Sequence, residues 1–306
     1  MFKHIFKYLC IQISIVIGLL ILLSSVKIKN VRIWSFLNRN IISEGGQTKL
    51  MFDDLEKFVP KRNTVFVVGS SHAYRGYDPR IFEQSGYTLF NMGTSGQNMK
   101  DTYSLVKLYK DKIKTMIIDI YPGVLQDVTE ESTLMLIQNA GTKKTAFQIL
   151  KNNITINSIN NTAARLFDVN PKSIPYSEKY VFNGYVETYH DFKSDSTLTY
   201  NPFKPGANFL YLDSLLSYAT HNDIGFCIAS HPLKYNAAYK RYYIDSYLPI
   251  LNKILKKYPR NKFFDYTLLH CNKDSLFSDA NHLSQKGVNW YNAELIKNIK
   301  TQLKIH

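Results

Sequence analysis

Two short segments, far apart in the chain, carry residue types that perform acyl-transfer chemistry. The first is Val67-Val68-Gly69-Ser70-Ser71-His72, where an apolar run stops at a small, hydroxyl-bearing turn. The second is Phe277-Ser278-Asp279-Ala280-Asn281-His282-Leu283-Ser284, followed by Gly287. A carboxylate three residues before a histidine can orient the imidazole and stabilise its cation. The imidazole can then take a proton from a serine hydroxyl. Each segment also has a plainer reading. Ser70 and Ser71 suit the cap of a helix, Asp279 suits the cap of the helix that follows it, and His282 suits a satisfied structural histidine. Those readings leave the joint occurrence of the serine turn and the Asp–His pair unexplained.

The two segments meet only if the fold brings the ends of distant strands together. Apolar, β-branched runs predict strands over 64–68, 87–91, 115–120, 224–229 and 262–265. Helical periodicity predicts helices over 78–84, 98–110, 206–221, 236–257 and 284–303. Strands alternating with helices imply a parallel sheet covered on both sides. Ligands of such sheets collect at the carboxyl ends of the strands. Three segments leave those ends with suitable chemistry: Gly69 to His72, Asn91-Met92-Gly93-Thr94-Ser95-Gly96-Gln97-Asn98, and the loop holding Asp279 and His282. Gln97, Asn98 and His231, which follows the fourth strand, are therefore candidates to bind substrate. His72 is another, although neighbours in a turn diverge in direction and packing competes with a place in the cleft. The stretch 124–205 is rich in Asn, Thr, Ser and Tyr, with prolines at 171, 175, 202 and 205. It reads as an insertion at the rim of the site, helical in part over 130–168.

These motifs resemble the SGNH (GDSL-like) hydrolase superfamily, over roughly residues 62–123 and 206–303. The resemblance implies a three-layer α/β/α sandwich with a flavodoxin-like parallel sheet. It makes Ser71 the nucleophile, with Ser70 standing where the family has Asp, and makes Asp279 and His282 its triad partners. It assigns the oxyanion hole to the backbone amides of Ser71 and Gly93. One family block is missing. The asparagine that should follow the third strand has no counterpart in Ile118-Asp119-Ile120-Tyr121-Pro122-Gly123. An oxyanion donor is worth roughly 3–4 kcal/mol of transition-state stabilisation. Gln97 or Asn98 could substitute for it; Asp119 cannot while it is ionised. The resemblance is to membrane-anchored relatives acting on acyl groups of envelope polymers. It implies a serine esterase or O-acyltransferase acting on acyl, above all acetyl, esters of cell-envelope or exported polysaccharide. The alternative is a catalytically silent glycan-binding or accessory protein of an acyltransferase complex, with a membrane-bound acyltransferase as partner.

Composition sets the remaining bounds. At 306 residues, 45% hydrophobic and 20% charged, the chain is an ordinary globular protein. Its formal net charge of +14 is spread along the chain. That favours anionic envelope polymers or headgroups; no zinc-finger or RNA-binding signature accompanies it, so nucleic acid is not an expected partner. Three cysteines make no disulfide framework, and only Cys227 with Cys271 could pair in the globular part. His72, His231 and His282 lack metal-ligand spacing, so neither a metal nor a cofactor is expected. Leu9 to Val26 is 18 residues without a charge, long enough to span a bilayer as one N-terminal transmembrane helix. No Ala-x-Ala-like site follows, so an anchor is favoured over a cleaved signal. The flanking lysines and arginines lean toward a cytoplasmic domain, but large domains translocate despite such charge. The expected organisation is an anchor over 1–27, a connector over 28–61, and a catalytic domain over 62–306 on the extracytoplasmic side.

Overall fold

The computed structural model describes residues 2–28, 31–32, 46–126, 130–166, 179–188, 205–259, 261–270 and 272–300. Most of the loop part of the expected insertion, Cys271 and the end of the last expected helix lie outside them; within that loop part, Lys179–Tyr180 and Val186–Glu187 pair as a two-stranded antiparallel sheet. Residues 1–44 and 134–174 form one compact unit, and 45–133 with 175–306 form another. The second unit holds the sheet and every segment singled out above for chemistry.

The five strands of the main sheet are β1 (Thr64–Val68), β2 (Thr88–Asn91), β3 (Thr115–Asp119), β4 (Gly225–Ser230) and β5 (Phe263–Asp265). They pair in the order β2-β1-β3-β4-β5, and every pairing is parallel. Because strand side chains alternate between faces, Val65 and Val67 lie on one side of β1 and Phe66 on the other. Val65 and Val67 join Leu89, Ile117, Cys227 and Ala229 in a buried cluster. That cluster is closed by helices α3 (Ser71–Gly76), α4 (Pro79–Gln84) and α13 (Gln285–Lys300), through Tyr77, Phe82, Tyr291, Leu295 and Ile299. Phe66 packs with Phe90 and Phe58 instead. Each fully buried side chain of this size contributes about 1.5–3 kcal/mol, so the two faces hold the sheet between helical layers. Helices α5 (Met99–Leu108) and α10 (Ala207–His221) pack on each other, and α10 packs on β4.

The strand order places the turning point of the topology between β1 and β3. The chain leaves β1 for β2 on one side, then crosses back to β3 on the other. A crevice therefore opens at the carboxyl ends of β1 and β3.

Three differences from the sequence reading have physical causes. The connector expected over 28–61 contains helix α2 (Gly46–Lys57), whose Met51, Phe52 and Leu55 are fully buried. The amide of its Gln47 donates to the Gly93 carbonyl at 3.0 Å, so α2 supports the region of the site. The long helix expected over 236–257 is interrupted. It begins as α11 (Ala237–Tyr242), widens into a π-helical turn at Tyr243–Tyr247, and resumes as α12 (Leu248–Leu255). Pro249 sits in the first turn of α12. Proline has no N–H for the carbonyl four residues back and its ring crowds that carbonyl, and the wider turn accommodates both. A short helix α6 (Pro122–Gln126) follows β3, and the helical part expected over 130–168 resolves into α7 (Glu131–Asn139), α8 (Lys143–Asn152) and α9 (Ile156–Leu166).

The N-terminal segment forms helix α1 (Phe2–Ser25), with Leu9, Ile11, Ile13, Ile15 and Val16 exposed. Among the described residues, which leave out the side chains at 20, 23 and 24, no helix is long and apolar enough to cross a membrane.

Candidate active site

β1 ends at Gly69, whose backbone φ is +152°. A Cβ there would stand 2.9 Å from the Asp119 carbonyl oxygen of β3, so this turn takes only glycine. The turn delivers Ser70 to the N-cap of α3 and Ser71 to its first residue. Ser71 therefore sits at a helix N-terminus, where backbone N–H groups face the ligand side.

The partner loop is pinned at its base by a bridge between the buried Phe277 and Leu283. Within it, Asp279 Oδ1 accepts from the backbone N–H of Asn281 at 2.7 Å and of His282 at 2.9 Å. Asp279 is thus the cap that a plain reading suggests, and it is more. Its Oδ2 lies 2.7 Å from His282 Nδ1, and His282 Nε2 lies 2.8 Å from Ser71 Oγ. Partial burial acts to raise the Asp279 pKa, but the hydrogen bond and charge of His282, with the two amides, hold it at about 2. Residues 211 apart in sequence are in this way joined into one hydrogen-bonded chain. With the carboxylate fixing Nδ1–H, Nε2 is left to accept the serine proton.

The other site residues named from sequence fall into two groups. Gly93, Gln97 and Asn98 are committed elsewhere. The Gly93 N–H donates to Asn91 Oδ1 at 3.0 Å. A Cβ on Gly93 would lie 2.7 Å from Ala73 Cβ and 2.8 Å from the Ser70 carbonyl oxygen, so this glycine is required for close packing on the serine turn. Gln97 is fully buried; it accepts from Thr94 Oγ1 and donates to Thr102 Oγ1, each at 2.9 Å. Asn98 caps α5 by accepting from the Asp101 N–H at 2.8 Å, and its amide donates to Asp101 and Ser132. These bonds engage groups that the sequence reading offered to the oxyanion or to substrate.

His72 and His231 do stand beside the triad. The His72 ring is buried and stacks on Tyr121 at a centroid distance of 3.9 Å. It lies 4.1 Å from the His231 ring and 5.5 Å, edge to face, from His282. Burial, then the neighbouring His231 and His282, push the His72 pKa well below the usual histidine range. Burial likewise pushes His231 down to about 4, against the hydrogen bond from its Nδ1 to the Pro232 carbonyl at 2.7 Å. Both rings are neutral at ordinary pH. Among the described residues no group of His, Cys, Asp and Glu could hold a metal ion.

Sequence reasoning missed the support beneath the site. Asp119, at the end of β3, accepts from Tyr77 Oη at 2.7 Å, and Tyr77 in turn is 2.9 Å from Tyr291 Oη. Burial pushes the Asp119 pKa up to about 8, against the Tyr77 hydrogen bond, so this carboxyl is protonated at neutral pH. The only available signal was an acidic residue closing an apolar strand. A second such feature is the buried pair Asp78 and Glu187, bridged by Arg80 Nη2 at 2.6 and 2.8 Å.

No family model and no curated protein matches the chain. Among solved structures it is similar to a GDSL-like lipase from Bacteroides thetaiotaomicron, at 12% identity and a TM-score of 0.38, over 82% of this chain and 99% of that one. It is also similar to a family two carbohydrate esterase from Clostridium thermocellum in complex with cellohexaose, at 8% identity and a TM-score of 0.41, over 81% of this chain and 67% of that one. Likenesses of that size carry no argument about activity, which rests on the geometry of the site.

Proposed function

We propose that this chain is a serine hydrolase or acyltransferase of the SGNH type, cleaving or transferring acyl esters of envelope or exported polysaccharide. The observation that carries the reading is the hydrogen-bonded chain Asp279–His282–Ser71 at the carboxyl ends of a parallel sheet ordered 2-1-3-4-5. In this reading His282 Nε2 takes the Ser71 proton as Oγ attacks the ester carbonyl. Asp279 steadies the imidazolium. The carbonyl oxygen, now negative, is met by the Ser71 N–H at the start of α3. Collapse expels the alcohol, protonated by His282, and leaves an acyl-serine. Water then releases the acyl group in an esterase, or a sugar hydroxyl receives it in a transferase.

A polymeric substrate also needs somewhere to lie. A groove of about 530 Å³ is lined by Asp78, Arg80, Gln84, Glu187, Gln285 and Asn289. Gln285 opens α13, three residues after His282 in sequence. The uncharged run over 9–26 and the exposed apolar side chains of α1 speak for a membrane anchor, and the proposed substrate would put the catalytic domain on the extracytoplasmic side. The commitment of the Gly93 amide to Asn91 favours one rival, a silent accessory protein that partners an acyltransferase. Labelling by a fluorophosphonate and turnover of p-nitrophenyl acetate decide between them. Both are expected in the wild type and absent in Ser71→Ala. A wild type that neither labels nor turns over makes the chain an accessory protein.

A further inference from the structure

We propose that the imidazole of His72 is an oxyanion-hole donor of this site, filling the role of the asparagine that is missing after β3; this rests on the hydrolase reading above. The donors expected from the sequence are engaged by other partners. The Gly93 amide donates to Asn91, the Gln97 amide to Thr102, and the Asn98 amide to Asp101 and Ser132. Asp119 is buried with Tyr77 beneath the turn. His72 follows the nucleophile directly, and its ring joins the Ser71 N–H in this role.

Its position fits. Ser71 follows β1 and Tyr121 follows β3, so the His72 ring, stacked on Tyr121 at 3.9 Å, lies across the crevice at the topological turning point. The missing asparagine would come from the end of that same β3. The ring is edge to face with His282 at 5.5 Å, and His282 Nε2 is 2.8 Å from the attacking oxygen. His72 thus lies beside the histidine that takes the serine proton.

Its chemistry fits as well. A neutral imidazole carries one N–H donor. Burial and the two neighbouring histidines keep the ring uncharged. The groups that face it are Tyr121 after β3, His231 after β4, and His282 before α13. His231 is itself held by its Nδ1–H on the Pro232 carbonyl. The column Tyr121–His72–His231 fixes the ring before substrate arrives, which is what an oxyanion donor requires. In the reaction, the Ser71 Oγ–carbon bond forms as the carbonyl π pair moves to oxygen. The serine proton passes to His282, and the His72 N–H donates to the new oxyanion without leaving nitrogen. When the pair returns to carbon the alcohol departs with the proton from His282.

The test uses the full-length protein with p-nitrophenyl acetate, comparing His72→Phe, which keeps a stacking ring, with His72→Gln, which keeps an N–H. Melting temperature is measured alongside. His72→Phe is expected to lower kcat by about 10²–10³ with little change in KM. His72→Gln is expected to recover at least about tenfold of that loss, within the span one oxyanion donor supplies. Unchanged kcat in His72→Phe overturns the assignment, as does a loss that appears only in KM. Equal loss in two folded variants overturns it too, since the ring's packing rather than its N–H would then matter. If His72→Phe does not fold, His72→Leu takes its place against His72→Gln under the same criteria. An inactive wild type removes the hydrolase reading itself. An active wild type with an equally active His72→Phe removes only the role of His72.

Discussion

Replacing Asp119 by asparagine should make the protein's stability much less sensitive to pH, by an amount that follows from its burial. The carboxyl closes β3, touches no solvent, and accepts from Tyr77 at 2.7 Å while its Oδ1 finds no partner among the described residues. Burial raises its pKa to about 8 from an ordinary value of 3.8. Between those limits the folded protein holds a proton that the unfolded chain has released. The folded state binds more protons there, so stability falls as pH rises through the window and levels off above it. The slope is about 1.4 kcal/mol for each pH unit, or about 2.7 kcal/mol between pH 5 and pH 7. An asparagine at this position has no proton to hold, and its amide oxygen can still accept from Tyr77. Urea unfolding at pH 5 and pH 7 should therefore show the difference between Asp119→Asn and wild type moving toward the variant by about that amount, with unchanged m-values. The absolute ranking at either pH is not the point, since the amide brings a second donor that must also be satisfied. A difference that stays constant to within about 0.5 kcal/mol would refute the claim that this carboxyl is protonated in the folded protein.

Two further outcomes follow from the site. Asp279→Asn should lower kcat for p-nitrophenyl acetate by about 10²–10⁴ while leaving the fold intact, because the amide no longer fixes the His282 tautomer. Since His282 holds Asp279 at about 2, the wild-type rate should show no titration of this carboxyl above about pH 4. A pH–rate profile on both proteins checks the two statements together. Gly69→Ala should cost about 2–4 kcal/mol and most of the activity, since its Cβ would sit 2.9 Å from the Asp119 carbonyl in a backbone conformation that L-residues rarely adopt. Thermal unfolding with a parallel rate measurement reads both effects.

Much of the fold was legible because its signals are local. The five strand runs and their alternation with helices depend on period and residue type within short windows, and those windows became β1 to β5. Helix Gly46–Lys57 was harder to see, because Gly45-Gly46 reads as a break and its buried residues are too few to stand out. The π-helical turn was written in Pro249, but its location depends on how Tyr243 reaches Asp265 and Thr267 across the fold, with both contacts near 3 Å. The buried proton on Asp119 could not be read at all. Ionisation depends on what surrounds a group, and Tyr77 and Tyr291 arrive from elements far away in sequence.

The sequence by itself determined the chemistry on offer: a serine turn closing a strand, an Asp-x-x-His loop, and the absence of an asparagine after the third strand. Residue identity and spacing are enough for that. Tertiary structure alone decided which groups are available. The amides of Gly93, Gln97 and Asn98 look like donors in the sequence, yet each is already committed to a neighbour within a few residues. His72 looked like packing, and the parallel crossing of β1 and β3 brings its ring to the edge of the catalytic histidine. A donor's value depends on whether its hydrogen bond is already made, and only the folded chain settles that.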